Sequence, residues 1–225
     1  MPGRKPASDA PGDVMKLYTY FRSSAAYRTR IALNLKGIST EEISIHLTKD
    51  GGKQHTPEYR AINPQRRVPS LVLDDGTILM QSPAILEYLD EIHPNPPFLP
   101  KSPVARAKVR AFAALIGCDI HPLDNLAPLQ YLRRVLKQEQ PAIDTWYQHW
   151  VTEGFTALET MIEPGPYCFG NEVTLADIYL VPQMYNARRL KTPLDAFPKL
   201  VAADAALMKL PAFDKAKPEN QFDAE

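Results

Sequence analysis

Arg22, Ser23 and Ser24 follow one another where a short aromatic strand gives way to a helical repeat. Backbone N–H groups and the positive end of the helix dipole gather at a helix start, so two hydroxyls there favour an anion such as a thiolate or a carboxylate. A guanidinium directly before them is placed to stabilise negative charge developing on a bound molecule. Gln81 and Ser82 repeat the pattern ahead of a second helical segment. Hydroxyl, backbone donors and dipole make an anion cap there, and an ordinary N-cap uses the same groups without excluding it. The protein's own sulfur is poorly placed to react. Cys118 and Cys168 lie fifty residues apart, with no Cys-x-x-Cys pair and no histidine at metal spacing. They predict neither zinc nor a redox pair and are read as buried free thiols.

The elements that must position these groups follow from periodicity. Lys16 to Tyr20 reads as a strand. Tyr27, Ile31 and Leu35 then fall at i, i+4 and i+8, and Gly37 supplies a stop, which predicts a helix of about three turns. Ile43, Ile45 and Leu47 alternate with polar residues as a second strand, and a strand–helix–strand opening predicts a parallel pair with a right-handed crossover. The polar segment 48–67 carries Gly51-Gly52 and is too long for a tight connection, so it is expected to cover a site. Ser70 to Leu73 and Thr77 to Met80 flank Asp74-Asp75-Gly76, a hairpin turn. Ser82 then reads as N-cap and Pro83 as the first residue of a helix through Ile92. The order is βαβ followed by ββα.

Residues 93–103 hold five prolines and mark a stiff linker. Beyond it no period-two segment occurs. Ser102-Pro103 opens a helix to about Asp119, Pro122 breaks it near His121, and an amphipathic stretch continues through Leu136. Pro141 starts a core helix whose Ile143, Trp146, Tyr147, Trp150, Phe155, Leu158 and Ile162 repeat at three and four. Thr174-x-x-Asp177 forms a capping box, with Asp in place of Glu, ahead of the apolar run Ile178 to Met184. The expected organisation is a flexible leader (1–14), an α/β domain (15–98) and an all-helical domain (99–225).

With 225 residues, 26 Lys+Arg against 26 Asp+Glu and 44% hydrophobic residues, the chain has room for two cores and needs no disulfide staples. Mixed charge with zero net balance argues against a nucleic-acid or membrane-surface footprint. No run approaches the ~18 apolar residues of a membrane span, and the first fourteen residues lack the apolar region of a secretory signal, so a cytoplasmic protein is expected.

Four stretches carry a resemblance: SSAAYRTRIALNLKG (23–37), NPQRRVPSL (63–71), QSPAILEYLDE (81–91) and TLADIYLVPQ (174–183). In this order and spacing they resemble the zeta class of glutathione transferases, over nearly all of residues 15–215. The resemblance implies a thioredoxin-like N-terminal domain that binds glutathione, a helical C-terminal domain that binds substrate, and a homodimer. It implies cis–trans isomerisation of maleylacetoacetate in tyrosine or aromatic-acid breakdown, with maleylpyruvate as runner-up. A general glutathione transferase and a non-catalytic binding protein are the other uses of the fold. In the implied reaction the glutathione thiolate adds to the cis double bond, the resulting single bond rotates, and elimination restores a trans alkene.

The same resemblance distributes roles. Ser23 or Ser24 activates the thiol, and Arg22 stabilises the enolate formed from the substrate. Val68, before a cis Pro69, pairs its N–H and C=O with the cysteinyl backbone, and Gln81 and Ser82 take the γ-glutamyl carboxylate. His121 and Asn125, in IHPLDNL, line the cleft, with His121 at the glycyl carboxylate or the thiol. His46, on the polar side of its strand, and Gln54, in the covering loop, reach the glycyl end. Arg189 meets a substrate carboxylate, with Arg188 as the solvated neighbour. Two departures stand out: Ala25 occupies a position that is usually cysteine in the family, and Leu126 and Ala127 stand where some maleylpyruvate relatives carry arginines.

Overall fold

A computed structural model describes residues 14–225; the expected leader, apart from Val14, lies outside the described residues. Strands β1 (Lys16–Thr19), β2 (Glu41–Ser44), β3 (Ser70–Val72) and β4 (Ile78–Met80) form one sheet in the order β2-β1-β3-β4. The β1–β2 pair is parallel and the other two pairs are antiparallel. Helix α1 (Ser24–Lys36) makes the crossover and ends as expected, with Gly37 at φ 67, where a side chain would be strained.

Successive β1 side chains point to opposite faces of the sheet. Leu17 joins Ile31 of α1, Leu71 of β3 and Ile85 and Leu89 of α3 (Ser82–Ile92) in the main core. On the other face Tyr18 packs with Ile45, Tyr59 and Val68 in a smaller cluster. Tyr59 belongs to a helix the polar segment conceals, α2 (Pro57–Ile62). Thr56 caps it by accepting the Tyr59 N–H at 3.4 Å, and Pro57 occupies its start. Six residues are too few to show a period, so the segment reads as loop. The true order is βαβ, α2, then ββα. A second correction concerns α3: Ser82 is its first helical residue, and Gln81, at φ 70, is the N-cap.

The helical half contains α4 (Pro103–Ala114), a wide π turn (Leu115–Ile120), α5 (His121–Asp124), α6 (Leu126–Arg134), α7 (Gln140–Met161), α8 (Leu175–Arg189), α9 (Pro198–Leu207) and α10 (Pro211–Lys215). Pro122 therefore does not break the helix at His121, as expected from its type. The π turn before it loosens the ladder that a proline ring would otherwise clash with. The break falls at Asn125, whose ψ of 163° leaves the helix and whose side chain accepts the Leu126 N–H at 2.8 Å to begin α6. Gly117, inside the turn, lets the Tyr179 ring approach to where a Cβ would lie 2.9 Å from it. The capping box at α8 is present: Asp177 accepts from Thr174 N–H at 2.7 Å and Thr174 Oγ1 at 2.9 Å, and its other oxygen accepts the Cys168 N–H at 2.8 Å. Cys168 is buried and free, but Cys118, expected to be buried, is exposed.

Candidate active site

Three adjoining compartments open between the end of β1, the Val68–Pro69 turn, the start of α3 and helices α5 to α8. The largest, about 280 Å³, is lined by Arg22, Ser23, Ser24, Arg133, Tyr147 and Arg189, among others. The second, about 190 Å³, has Ser23, Gln54, Gln65, Arg67 and Val68. The third, about 120 Å³, has Arg28, Arg67, Pro69, Gln81 and Ser82. His121 and Asn125 line all three.

The two serines divide their work. Ser23 caps α1, accepting the Ala26 N–H at 3.2 Å, and its hydroxyl faces the first two compartments. Ser24 is buried and committed: its Oγ accepts from Asn186 Nδ2 at 2.9 Å and lies 3.3 Å from His121 Nδ1. The Ser24 hydroxyl and His121 Nδ1 share one hydrogen bond, in which the ring's tautomer decides which of the two donates. Burial, with Arg28 and Arg67 adding positive charge nearby, pushes the His121 pKa down to about 3, so the ring stays neutral at ordinary pH.

Arg22 is exposed at the cleft mouth, where its Nη2 and Nε donate to Tyr20 Oη at 2.8 and 3.2 Å and its guanidinium lies 5.0 Å from the Phe21 ring centre. Arg189 also lines the largest compartment, whereas Arg188 is not simply solvated: it pairs with buried Asp204 at 2.6 Å. Arg133 is tied to Gln140 at 2.6 Å. Three guanidinium groups thus ring a compartment whose carboxyls are Asp124 and Asp144. Burial lifts Asp124 to about 8, which keeps it neutral and leaves the cations in excess.

The Val68–Pro69 bond is cis, as the resemblance implies. Asn63 and Tyr59 hold the chain around it, both donating to the Arg67 carbonyl, at 2.9 and 2.6 Å, and both contacting Ser70 Oγ. Val68's N–H and C=O take no hydrogen bond among the described residues and border two compartments. Gln81 donates to Gln65 Oε1 at 2.6 Å. Gln54 donates to the Leu47 carbonyl at 2.9 Å, while its Oε1 is buried without a partner.

Of the residues singled out in the sequence, the structure brings Arg22, Ser23, Ser24, Gln54, Val68, Pro69, Gln81, Ser82, His121, Asn125 and Arg189 to these walls. It does not bring His46. That ring faces the chain end, with Nδ1 accepting from Thr48 and Lys49 N–H and Nε2 3.2 Å from the Glu225 carboxylate, so it is not placed to reach the glycyl end of a ligand. Sequence reasoning missed Arg28, Arg67, Asp124 and Asn186. Arg67 adjoins Val68 in a stretch already singled out, and Asn186 lies three residues before Arg189 on the same helical face; Arg28 and Asp124 gain their significance from burial, which no local pattern announces.

The donor set fits glutathione. An unpaired backbone edge suits an extended cysteinyl segment, the first N–H groups of α3 suit a carboxylate, and Ser23 at the start of α1 suits a thiol. Among the described residues no helix is long and apolar enough to cross a membrane, and no group of three or more His, Cys, Asp or Glu side chains is placed to hold a metal ion.

Comparison with known proteins gives the following. Residues 17–97 match the model of the glutathione S-transferase N-terminal domain. The maleylacetoacetate isomerase of Pseudomonas aeruginosa is 47% identical over 209 residues, 93% of this chain and 98% of that protein. The holo structure of a maleylpyruvate isomerase, described as a bacterial zeta-class glutathione S-transferase, superposes with a TM-score of 0.90 at 42% identity, covering 93% of this chain and all of the other. A maleylacetoacetate isomerase from Methylobacterium extorquens, solved with malonate and glutathione bound, superposes with a TM-score of 0.89 at 36% identity, covering 93% and 99% of the two chains.

Proposed function

Because the chain belongs to the zeta class of glutathione transferases, we propose that it is a glutathione-dependent cis–trans isomerase acting on maleylacetoacetate, with maleylpyruvate as the second candidate. One observation carries the reading furthest: a compartment ringed by Arg22, Arg133 and Arg189 meets, at Ser23, a neighbouring compartment bounded by Val68's unpaired backbone, which suits a dicarboxylate substrate held beside a peptide thiol. Bound glutathione supplies a recyclable sulfur nucleophile whose reversible addition turns the substrate's double bond into a rotatable single bond.

The chain's own residues do the rest. Ser23's hydroxyl and the N-terminus of α1 favour the ionised thiol. Val68 docks the cysteinyl backbone, and Gln81 and Ser82 receive the γ-glutamyl carboxylate. His121 offers its Nε2–H to the glycyl carboxylate or the sulfur. Arg22 and Arg189 neutralise the substrate's carboxylate and the charge that develops on its carbonyl. In this reading residues 15–98 hold glutathione, residues 99–225 complete the substrate side, and the protein works as a cytoplasmic homodimer. Sedimentation and cell fractionation check those last two statements.

The deciding experiment offers both maleyl substrates with catalytic glutathione. Conversion of many substrate equivalents per glutathione, with a higher kcat/KM for maleylacetoacetate, is the expected result. Stoichiometric loss of glutathione with no trans product makes the protein a conjugating transferase instead, and a higher kcat/KM for maleylpyruvate reverses the order of the two substrates.

A further inference from the structure

Two loops give neighbouring parts of the substrate compartment's wall: Tyr20 and Arg22 from the turn between β1 and α1, and Leu47 and Thr48 from the covering loop beyond β2. Loop residues of this kind are placed by what ties them down, since no ladder of backbone bonds runs through them. Both loops are tied to one short segment. Residues 221–225 follow α10 and a single 3₁₀ turn (Pro218–Asn220), and Gln221 anchors their start by donating its Nε2–H groups to the Lys215 and Lys217 carbonyls at 2.9 and 2.6 Å.

Asp223 grips the first loop. Its Oδ2 accepts the Phe21 N–H at 3.3 Å and the Ser44 hydroxyl at 2.7 Å, so a side chain 202 positions away holds the residue just before Arg22. The Phe21 carbonyl is held from the same quarter, because Arg30 donates to it at 3.0 Å and to the Ala216 carbonyl at 3.1 Å. Both backbone groups of Phe21 therefore depend on residues 216–223. Arg22 is aimed from that fixed base, with Nη2 donating to Tyr20 Oη at 2.8 Å and the guanidinium 5.0 Å from the Phe21 ring centre. Glu225 grips the second loop: its carboxylate pairs with Lys49 and lies 3.2 Å from His46 Nε2, and His46 Nδ1 accepts the Thr48 and Lys49 N–H groups. Exposed ion pairs add little stability, so these contacts matter for where the loops stand rather than for whether the chain folds.

We propose that Asp223 is a positioning residue for the isomerisation: through the Phe21 N–H its carboxylate fixes where Arg22 stands in the substrate compartment, with Glu225 holding the covering loop in register beside it. The assignment rests on the proposed function in one respect, that Arg22 acts on the reacting substrate, and the test separates the two. The kcat for maleylacetoacetate and the Kd for glutathione are measured on full chains carrying Asp223→Ala, Asp223→Asn, Ser44→Ala, Arg22→Ala, and Arg22→Ala with Asp223→Ala. Amide exchange at residues 21–23 is followed in each.

Asp223→Ala is expected to lower kcat about tenfold, as a misplaced catalytic group does, while the Kd for glutathione changes less than about threefold. Asp223→Asn keeps an acceptor oxygen for both donors and is expected to stay within about threefold of wild type. In the Arg22→Ala background the same Asp223→Ala change is expected to cost less than about twofold, because no guanidinium is left to aim. An equal loss of kcat in both backgrounds, or glutathione affinity falling in step with kcat, overturns the assignment and makes Asp223 structural. Where Asp223→Ala does not fold by circular dichroism, Ser44→Ala, which removes the nearer partner of Asp223, is put through the same cycle, and a wild-type kcat there overturns the assignment too. Exchange decides independently of turnover: it is expected to quicken at residues 21–23 in Asp223→Ala, and unchanged exchange removes the assignment alone. If no maleyl substrate turns over while exchange quickens, the isomerase reading falls and the grip on the loop of Arg22 stands.

Discussion

Asn186 reaches across from α8 to donate its Nδ2–H to Ser24 Oγ at 2.9 Å, and that bond separates the two adjacent serines functionally. A hydroxyl that already accepts from Asn186 and shares a hydrogen bond with His121 has little left for a thiol. Ser23→Ala is therefore expected to lower kcat by about tenfold to a hundredfold and to shift bound glutathione from thiolate to thiol, read by ultraviolet difference absorbance. It also removes a helix cap worth ~1 kcal/mol, visible in denaturation. Ser24→Ala is expected to leave the thiolate band in place. A thiolate band lost in Ser24→Ala and kept in Ser23→Ala would reverse the assignment.

Burial, with the positive charge of Arg28 and Arg67 nearby, sets the state of His121. Its pKa of about 3 lies below the ordinary 6.5, so the unfolded chain binds the extra proton first. Its contribution to stability is complete above pH 6.5 and is lost as pH falls toward 3. His121→Gln, which keeps a neutral donor, is expected to retain most glutathione affinity and to flatten the acid limb of a urea-denaturation series between those values. His121→Ala is expected to weaken glutathione binding about tenfold. An acid limb equally steep in wild type and His121→Gln shows that the ring is not held neutral.

How far such roles were legible depends on whether the signal is local. The helix at Ser24–Lys36, the hairpin around Gly76 and the box at Thr174–Asp177 each announce themselves within a few residues, through a cap, a turn dipeptide or a periodic stripe. Six-residue α2 has a cap but no room for a period. The break at Asn125 rather than Pro122 depends on a π turn that Gly117 allows against Tyr179, a contact between residues 62 positions apart. The site divides the same way. Ser23, Val68 and Ser82 are legible because turns and helix starts have sequence signatures, whereas the neutral Asp124 and the unpaired Arg28 are consequences of burial alone. His46, read as the polar side of a strand, lies two residues beyond the end of β2, where the Glu225 carboxylate faces it.

Asp124 is expected to impose the opposite pH dependence. Its folded pKa of about 8 exceeds the ordinary 3.8, so the native state holds the proton longer. Stability from this group is full below pH 3.8 and declines as pH rises toward 8, by at most about 1.4 kcal/mol per pH unit. The groups facing it across the largest compartment are Asp144, Tyr147, His121, Arg133 and Arg189. Asp124→Asn keeps the shape and removes the titration, so the difference in unfolding free energy between variant and wild type should grow in the variant's favour from pH 5 to pH 8. A difference constant with pH shows that the carboxyl is ionised throughout.

Arg22 carries no carboxylate partner among the described residues and lines the same compartment as Ser23. Arg22→Ala is expected to lower kcat about a hundredfold while glutathione's Kd changes less than about threefold, since the group acts on charge that develops during the reaction. Arg189→Ala should instead raise KM for the maleyl substrate more than it lowers kcat. Parallel losses in kcat and glutathione affinity on removing Arg22 place it in ligand binding.

Arg30, two residues after Arg28 on α1, shows what a buried guanidinium looks like when the chain itself satisfies it. It donates to the Ala216 carbonyl at 3.1 and 3.2 Å, to Thr19 Oγ1 at 3.1 Å, and to the Tyr20 and Phe21 carbonyls at 3.4 and 3.0 Å. Those bonds clamp the loop that delivers Arg22 and Ser23 and tie it to the chain after α10. Burial still pulls its pKa down to about 10, so the charge persists across the working range. Arg30→Met takes a donor from the Ala216 and Phe21 carbonyls, while Tyr20's keeps the Ser23 N–H, and is expected to cost ~3 kcal/mol or more in urea denaturation, with faster amide exchange at residues 20–23. Arg28→Met removes a cation that has no protein partner and should cost far less stability. Equal losses in the two variants would mean that Arg28, too, is held by contacts within the chain.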